Sequence, residues 1–183
     1  MSSSAVCPLA ATRAWVESFV VGHNVCPFAG REIVQQTVRF VGLAASDPVE
    51  AMHGLIDECR RLDNEPEIET TLIVLTEGVD DFDDYLDLLG LAEALLEDRG
   101  YEGVYQLASF HPDYCFDGAE EDDAANYTNR SPWPVFHLLR EESIERALAH
   151  YPDPENIPER NQQRMQEIGR RQLAESLAAL RRA

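Results

Sequence analysis

Apolar positions along the chain alternate between helical and strand periods. Between residues 11 and 22, Trp15, Val16, Phe19 and Val20 fall on one helical face, and Gly22 is placed to stop the helix. Thr37 to Leu43 reads as a strand. Asp47-Pro48 opens a helix to about Leu62, with Met52, Leu55, Ile56 and Cys59 at helical spacing, and Asp63-Asn64-Glu65-Pro66 breaks it. Thr70 to Thr76 is apolar on both faces, as a central, covered strand requires. Asp80, Asp81, Asp83 and Asp84 then crowd the start of a helix running to about Arg99. Acids there favour the helix dipole; a metal cluster is the sharper reading. Gly103 to Phe110 is a third strand and Val135 to Arg140 a fourth, of unreadable direction. Glu142 to His150 is a short helix. Pro158 suits the first turn of a last helix to about Arg182, whose apolar face carries Met165, Ile168, Leu173, Leu177 and Leu180.

Strand–helix–strand–helix–strand with crossovers of about a dozen residues or more predicts right-handed units and three parallel strands. The expected fold is a single-domain α/β sandwich over residues 1–183. Its four-stranded sheet is small, mostly parallel and covered by helices, with a C-terminal helix over 158–182 packed on it and residues 1–10 flexible. The alternative is an α+β, ferredoxin-like arrangement. A chain of 183 residues with 44% apolar content is long enough to bury roughly 70% of its unfolded surface.

Charge narrows the function. There are 34 acids against 15 bases, a net charge of -19, and every base is arginine. Codon bias and salt adaptation both produce such a composition. A surface this negative repels nucleic acid and anionic membranes, so neither is an expected partner. The four cysteines, Cys7, Cys26, Cys59 and Cys115, have no zinc-ligand spacing. The first residues lack a basic region, and no stretch approaches membrane-spanning length. A cytoplasmic protein with reduced thiols is expected.

Candidate chemistry gathers at two places. After the third strand, a segment of about two dozen residues has little periodicity, and such loops are commonly functional. Its aromatics, Tyr114, Phe116, Tyr127 and Trp133, argue for order. His111 lies at the strand's carboxyl end, where α/β sheets bind ligands. Asn126, Asn129 and Arg130 form a donor-rich stretch. Arg130 reads either as the clamp for a carboxylate or phosphate, or as the tie for its own acidic loop. A calcium loop starting at Asp113 fails, because Ala124 stands where the bidentate glutamate belongs.

The second place is His23-Asn24-Val25-Cys26-Pro27-Phe28-Ala29. Cysteine before proline suits a helix N-cap, where the dipole lowers a thiol pKa; a structural cysteine at a tight turn is the other reading. Half of a thioredoxin-type CPFC is present, but Ala29 replaces the resolving cysteine. His137, inside the fourth strand, reads as a packed core residue or as a third ligand.

With CPFA, SFHPDYCF, NYTNRSPWP, HLLRE and IPERN in that order, the chain resembles the bacterial domain-of-unknown-function 1415 family from Trp15 to about Gly169. The resemblance implies no established activity or cofactor. In that family a polar residue such as glutamine often stands where this chain has Cys115, which implies that Cys115 is not an essential nucleophile or ligand.

Three readings follow. The first is a small enzyme on an anionic metabolite, with Cys26 as nucleophile, His111 as general base, and Arg130, Asn126, Asn129 and Tyr114 binding substrate. A variant has a divalent transition metal held by His111, Cys26 and His137. The second is a non-catalytic module that binds a ligand or partner. The third is that these motifs lock a long loop onto the sheet. Catalysis requires Cys26, His111 and Arg130 to converge on one site, with Cys26 and His111 on the same side of the sheet.

Overall fold

The computed structural model describes residues 7–182. Residues 1–6, part of the stretch expected to be flexible, lie outside that range, and the chain is already helical from Pro8. Helix α1 (Pro8–Trp15) continues directly as a π-helix, Val16–Val21. The Ser18 hydroxyl donates back to the Ala14 carbonyl within this stretch (2.6 Å). Gly22 follows, and a Cβ there would collide with the Ser18 carbonyl oxygen.

After α2 (Ala29–Gln35) the predicted order appears: β1 (Val38–Ala44), α3 (Pro48–Asn64), β2 (Thr70–Glu77), α4 (Phe82–Asp98), β3 (Tyr105–Phe110), β4 (Val135–Arg140) and α5 (Glu141–Ala149). Local chemistry explains the helix starts. The Asp47 carboxylate accepts the Val49 N–H at 2.9 Å, with Pro48 in the first turn. Asp81 accepts the Asp83 and Asp84 amides at 2.9 and 3.3 Å. The acids before α4 thus begin a helix.

The sheet corrects the expected topology. Its strand order is β1-β2-β4-β3, with β1 and β2 parallel and β4 antiparallel to both β2 and β3. The first three strands do run in one direction, but β4 lies between the second and third. The sheet is therefore mixed rather than mostly parallel. Hydrophobic alternation reports which face a residue occupies and carries no information about which strand pairs with it. The element order also departs from the β-α-β-β-α-β sequence of a ferredoxin-like fold.

Alternate residues of the central strands enter two separate clusters. Ile73, Leu75, Phe136 and Leu138 pack with Leu55, Cys59 and Leu62 of α3 and Tyr85, Leu88 and Ala92 of α4. Leu72, Val74 and Val135 pack with Trp15, Phe19, Met165, Leu173 and Leu177. The expected C-terminal helix is two helices, α6 (Ile157–Ile168) and α7 (Arg170–Leu180), because Gly169 between them adopts φ +84°. Its apolar positions Met165, Leu173 and Leu177 are nonetheless buried. No helix among the described residues is long and apolar enough to cross a membrane.

Candidate functional site

The long segment between β3 and β4 uses its polar side chains on backbone groups, its own and those of adjoining elements. His111 is fully buried. The Asp113 amide donates to its Nδ1 (3.1 Å), so Nε2 must carry the ring proton, which it gives to the Val79 carbonyl (3.1 Å). Burial lowers the His111 pKa, partly offset by that carbonyl bond. The ring is neutral with both nitrogens occupied, packed against Phe82 and Tyr85.

Asn126, also fully buried, accepts the Phe116 amide at 3.0 Å and donates to the Glu120 carbonyl at 2.9 Å. Asn129 donates to the Ser109 carbonyl (3.0 Å). Arg130 donates to the carbonyls of Tyr114 and Glu121, both at 2.9 Å, and its guanidinium lies over the Tyr127 ring. Tyr114 packs its ring between Phe82 and Phe116. These contacts tie the loop to itself, to the end of β3 and to the turn after β2.

The hollow beside Arg130 is polar and about 560 Å³ in volume. Asp81, Asp83, Asp113, Glu121 and Asp122 line it together with Arg130 and Arg170, and Arg170 pairs with Asp122 at 3.4 Å. Acids outnumber bases there, which opposes an anionic metabolite.

Cys26 and His111 do not meet. Phe110 directs its ring to the face of Trp15, and His111, the next residue, packs on the α4 face with Phe82 and Tyr85. Cys26 lines a cavity on the Trp15 face, and so does His137. Two of the three side chains expected as metal ligands thus share a cavity and the third does not. Among the described residues, no group of three or more His, Cys, Asp or Glu is placed to hold a metal ion.

That cavity is the chemically distinctive feature of the molecule. Its volume is about 370 Å³, within the range of small-molecule sites of about 300–1,000 Å³. The floor is the sheet: Val38, Thr70 and Leu72 at the amino ends of β1 and β2, with Ala108, His137 and Leu139 beside them. The sequence pointed to the opposite, carboxyl-end rim. One wall is the π-helix, α2 and the turn between them, through Val20, Cys26, Phe28 and Ile33; the other is α5, through Ile144 and Ala147. On this face α1, α6 and α7 fill the sheet near Val74 and Val135, and the remainder is left hollow.

His137 is the imidazole set into the floor, beside Thr70. Its Nε2 lies 2.8 Å from the Thr70 hydroxyl, which in turn donates its single proton to the Leu138 carbonyl at 2.7 Å. The hydroxyl must therefore accept from Nε2–H, leaving Nδ1 as a bare acceptor. Burial pushes the His137 pKa down to about 4, so the ring is neutral. Cys26 departs from the N-cap expectation, because Phe28 occupies the N-cap of α2. Burial raises its thiol pKa, and the Phe28 and Ala29 amides offset this only in part. Thr70, Trp15, Phe110 and the α5 residues enter the sequence reading only as parts of strands and helices, with no site role. The available signal was a histidine and a threonine on the same face of otherwise apolar strands.

No curated protein and no solved structure matches the chain. A family described as "Protein of unknown function (DUF1415)" matches residues 8–175, most of the chain and all of the cavity's lining. The protein belongs to the DUF1415 family.

Proposed function

We propose that this protein binds a small, largely apolar molecule in the cavity over β2 and β4. The observation that carries the reading is that part of one sheet face is left hollow between apolar walls, with a single imidazole in its floor. Apolar surface left open to water costs a fold stability, and an occupant that covers it recovers that cost. A Cys26–His137 catalytic pair is the second reading, favoured by their shared cavity. It ranks lower because burial opposes both the thiolate and the imidazolium that such a pair needs.

The test uses prodan, a neutral naphthalene ketone dye without a hydrogen-bond donor, whose emission shifts to the blue in apolar surroundings. Wild type gives a saturable blue shift. Ala108→Trp, which fills the cavity from β3 beside His137, abolishes it while circular dichroism stays native. An unsaturable signal, or one indifferent to Ala108→Trp, removes the proposal.

A further inference from the structure

Granted the binding reading above, we infer that His137 selects the ligand class: a neutral aliphatic or aromatic molecule carrying one hydrogen-bond donor, such as an alcohol or phenol, in preference to a carboxylate.

The tautomer comes first. Thr70 is buried and its proton is committed to the Leu138 carbonyl, so it fixes His137 with the proton on Nε2. Nδ1 forms no hydrogen bond among the described residues, and the cavity is where the ring keeps accessible surface. A ligand that covers Nδ1 takes it out of water, which is costly unless the ligand's own O–H answers it. A ligand without a donor leaves it unpaired. Thr70 is therefore a positioning residue, and His137 is the residue that would touch the ligand.

The charges around the cavity exclude the anion. The lining carboxylates are Glu32, which accepts the Thr37 hydroxyl at 2.6 Å, and Glu69, 4.0 Å from Arg146. The lining cation is Arg140, whose guanidinium is taken by the Leu62 carbonyl at 2.6 Å and the Ile68 carbonyl at 2.9 Å. His137 stays uncharged near neutral pH. No cation among the described lining residues is open to receive a carboxylate, and a buried unpaired carboxylate is strongly disfavoured.

The experiment is displacement of bound prodan at pH 8 by three molecules of similar chain length: octanol, heptyl methyl ether and octanoate. Octanol displaces the dye about tenfold more effectively than either of the others, the magnitude of one well-made hydrogen bond. In Thr70→Val the tautomer is released, and in His137→Phe the acceptor is gone while the volume stays filled. Both variants bind prodan and lose the preference for octanol over the ether. Octanol matched by ether or octanoate in wild type overturns the inference and leaves the binding reading standing. Retention of the preference in both variants overturns it too. Absence of saturable prodan binding fells the binding reading itself, and the inference with it.

Discussion

Phe110 and His111 are adjacent in the chain and occupy opposite faces of the sheet. The Phe110 ring meets Trp15 edge-on at 5.2 Å between centroids, while the His111 ring lies 5.1 Å from that of Tyr85. This alternation divides the molecule's chemistry. One face holds a buried histidine with both nitrogens bonded; the other holds a cavity with a histidine bonded at one nitrogen only.

His111→Gln should therefore act on the fold and not on ligand binding. One of two backbone partners, the buried Val79 carbonyl or the partly exposed Asp113 amide, loses its bond, at about 1–3 kcal/mol. Urea unfolding should show that loss, with prodan affinity unchanged. A stable variant that no longer binds prodan would return His111 to the functional site.

Tyr85 closes the same corner. Its buried hydroxyl donates to the Val135 carbonyl (2.8 Å) and accepts the Phe110 amide (3.0 Å), joining α4 to the last pair of β3 and β4. Tyr85→Phe removes two hydrogen bonds while keeping the ring packing. A loss of about 2–3 kcal/mol is expected by urea titration, with the slope against denaturant unchanged.

Stability should decline in mild acid. The His137 pKa is about 4 in the folded state against an ordinary 6.5. The unfolded chain binds the extra proton between those values, so stability present above pH 6.5 is lost as pH falls toward 4. His111 and His23 are lowered too and act with the same sign. Between pH 7 and pH 5 the half-buried His137 accounts for about 1–2 kcal/mol. His137→Phe should show a shallower dependence over that window; an identical slope would mean that His137 titrates normally when folded.

Thiol labelling gives an independent reading of Cys26. With its pKa raised by burial, Cys26 should react with iodoacetamide at pH 7 more slowly than the exposed Cys7. Cys59, buried and pushed up to about 12, should be slowest of the four. Peptide-resolved mass spectrometry reads the order. Cys26 labelling first would restore the thiolate nucleophile.

Arg130→Lys separates a fastener from an anion clamp. Lysine keeps the charge and loses the fork that reaches two carbonyls from one plane, along with the stacking on Tyr127. Stability should fall by about 1–2 kcal/mol. Phosphate should leave the melting temperature of wild type and variant unchanged. A phosphate-dependent rise confined to wild type would identify a clamp.

Much of the secondary structure was readable, because long amphipathic runs and apolar strands carry their own periods. Val135–Arg140 forms the strand expected of it, and the Asp47 and Asp81 helix starts follow from their capping side chains. The short α2 is legible only as the helix start expected after Cys26, which lies two residues early; α2 buries no residue fully and has a glycine in its first turn. The π-helix was read as ordinary helix, since one widened turn barely alters hydrophobic spacing. The surroundings of His111 are not legible, because a histidine ending a strand before proline looks the same whether its nitrogens face a ligand or two backbone groups. The cavity was invisible because separate segments build it, and no local pattern records a space between them.

The placement of β4 also sets an order in time. Among the described residues β3 has no hydrogen-bonded neighbour strand except β4, and β2 has only β1 until β4 arrives. During synthesis, the first two strands and their connecting helix can pair as soon as they emerge. The third strand must wait, its edge unsatisfied, through the whole of the following loop. Sheet completion is then a single late insertion with pairings as distant as Thr70 with Leu139. Such long-range closure is slow. In the finished sheet the fastened loop holds the end of β3 against the start of β4, with Asn129 bonded to the Ser109 carbonyl and the His111 amide to the Asn129 carbonyl.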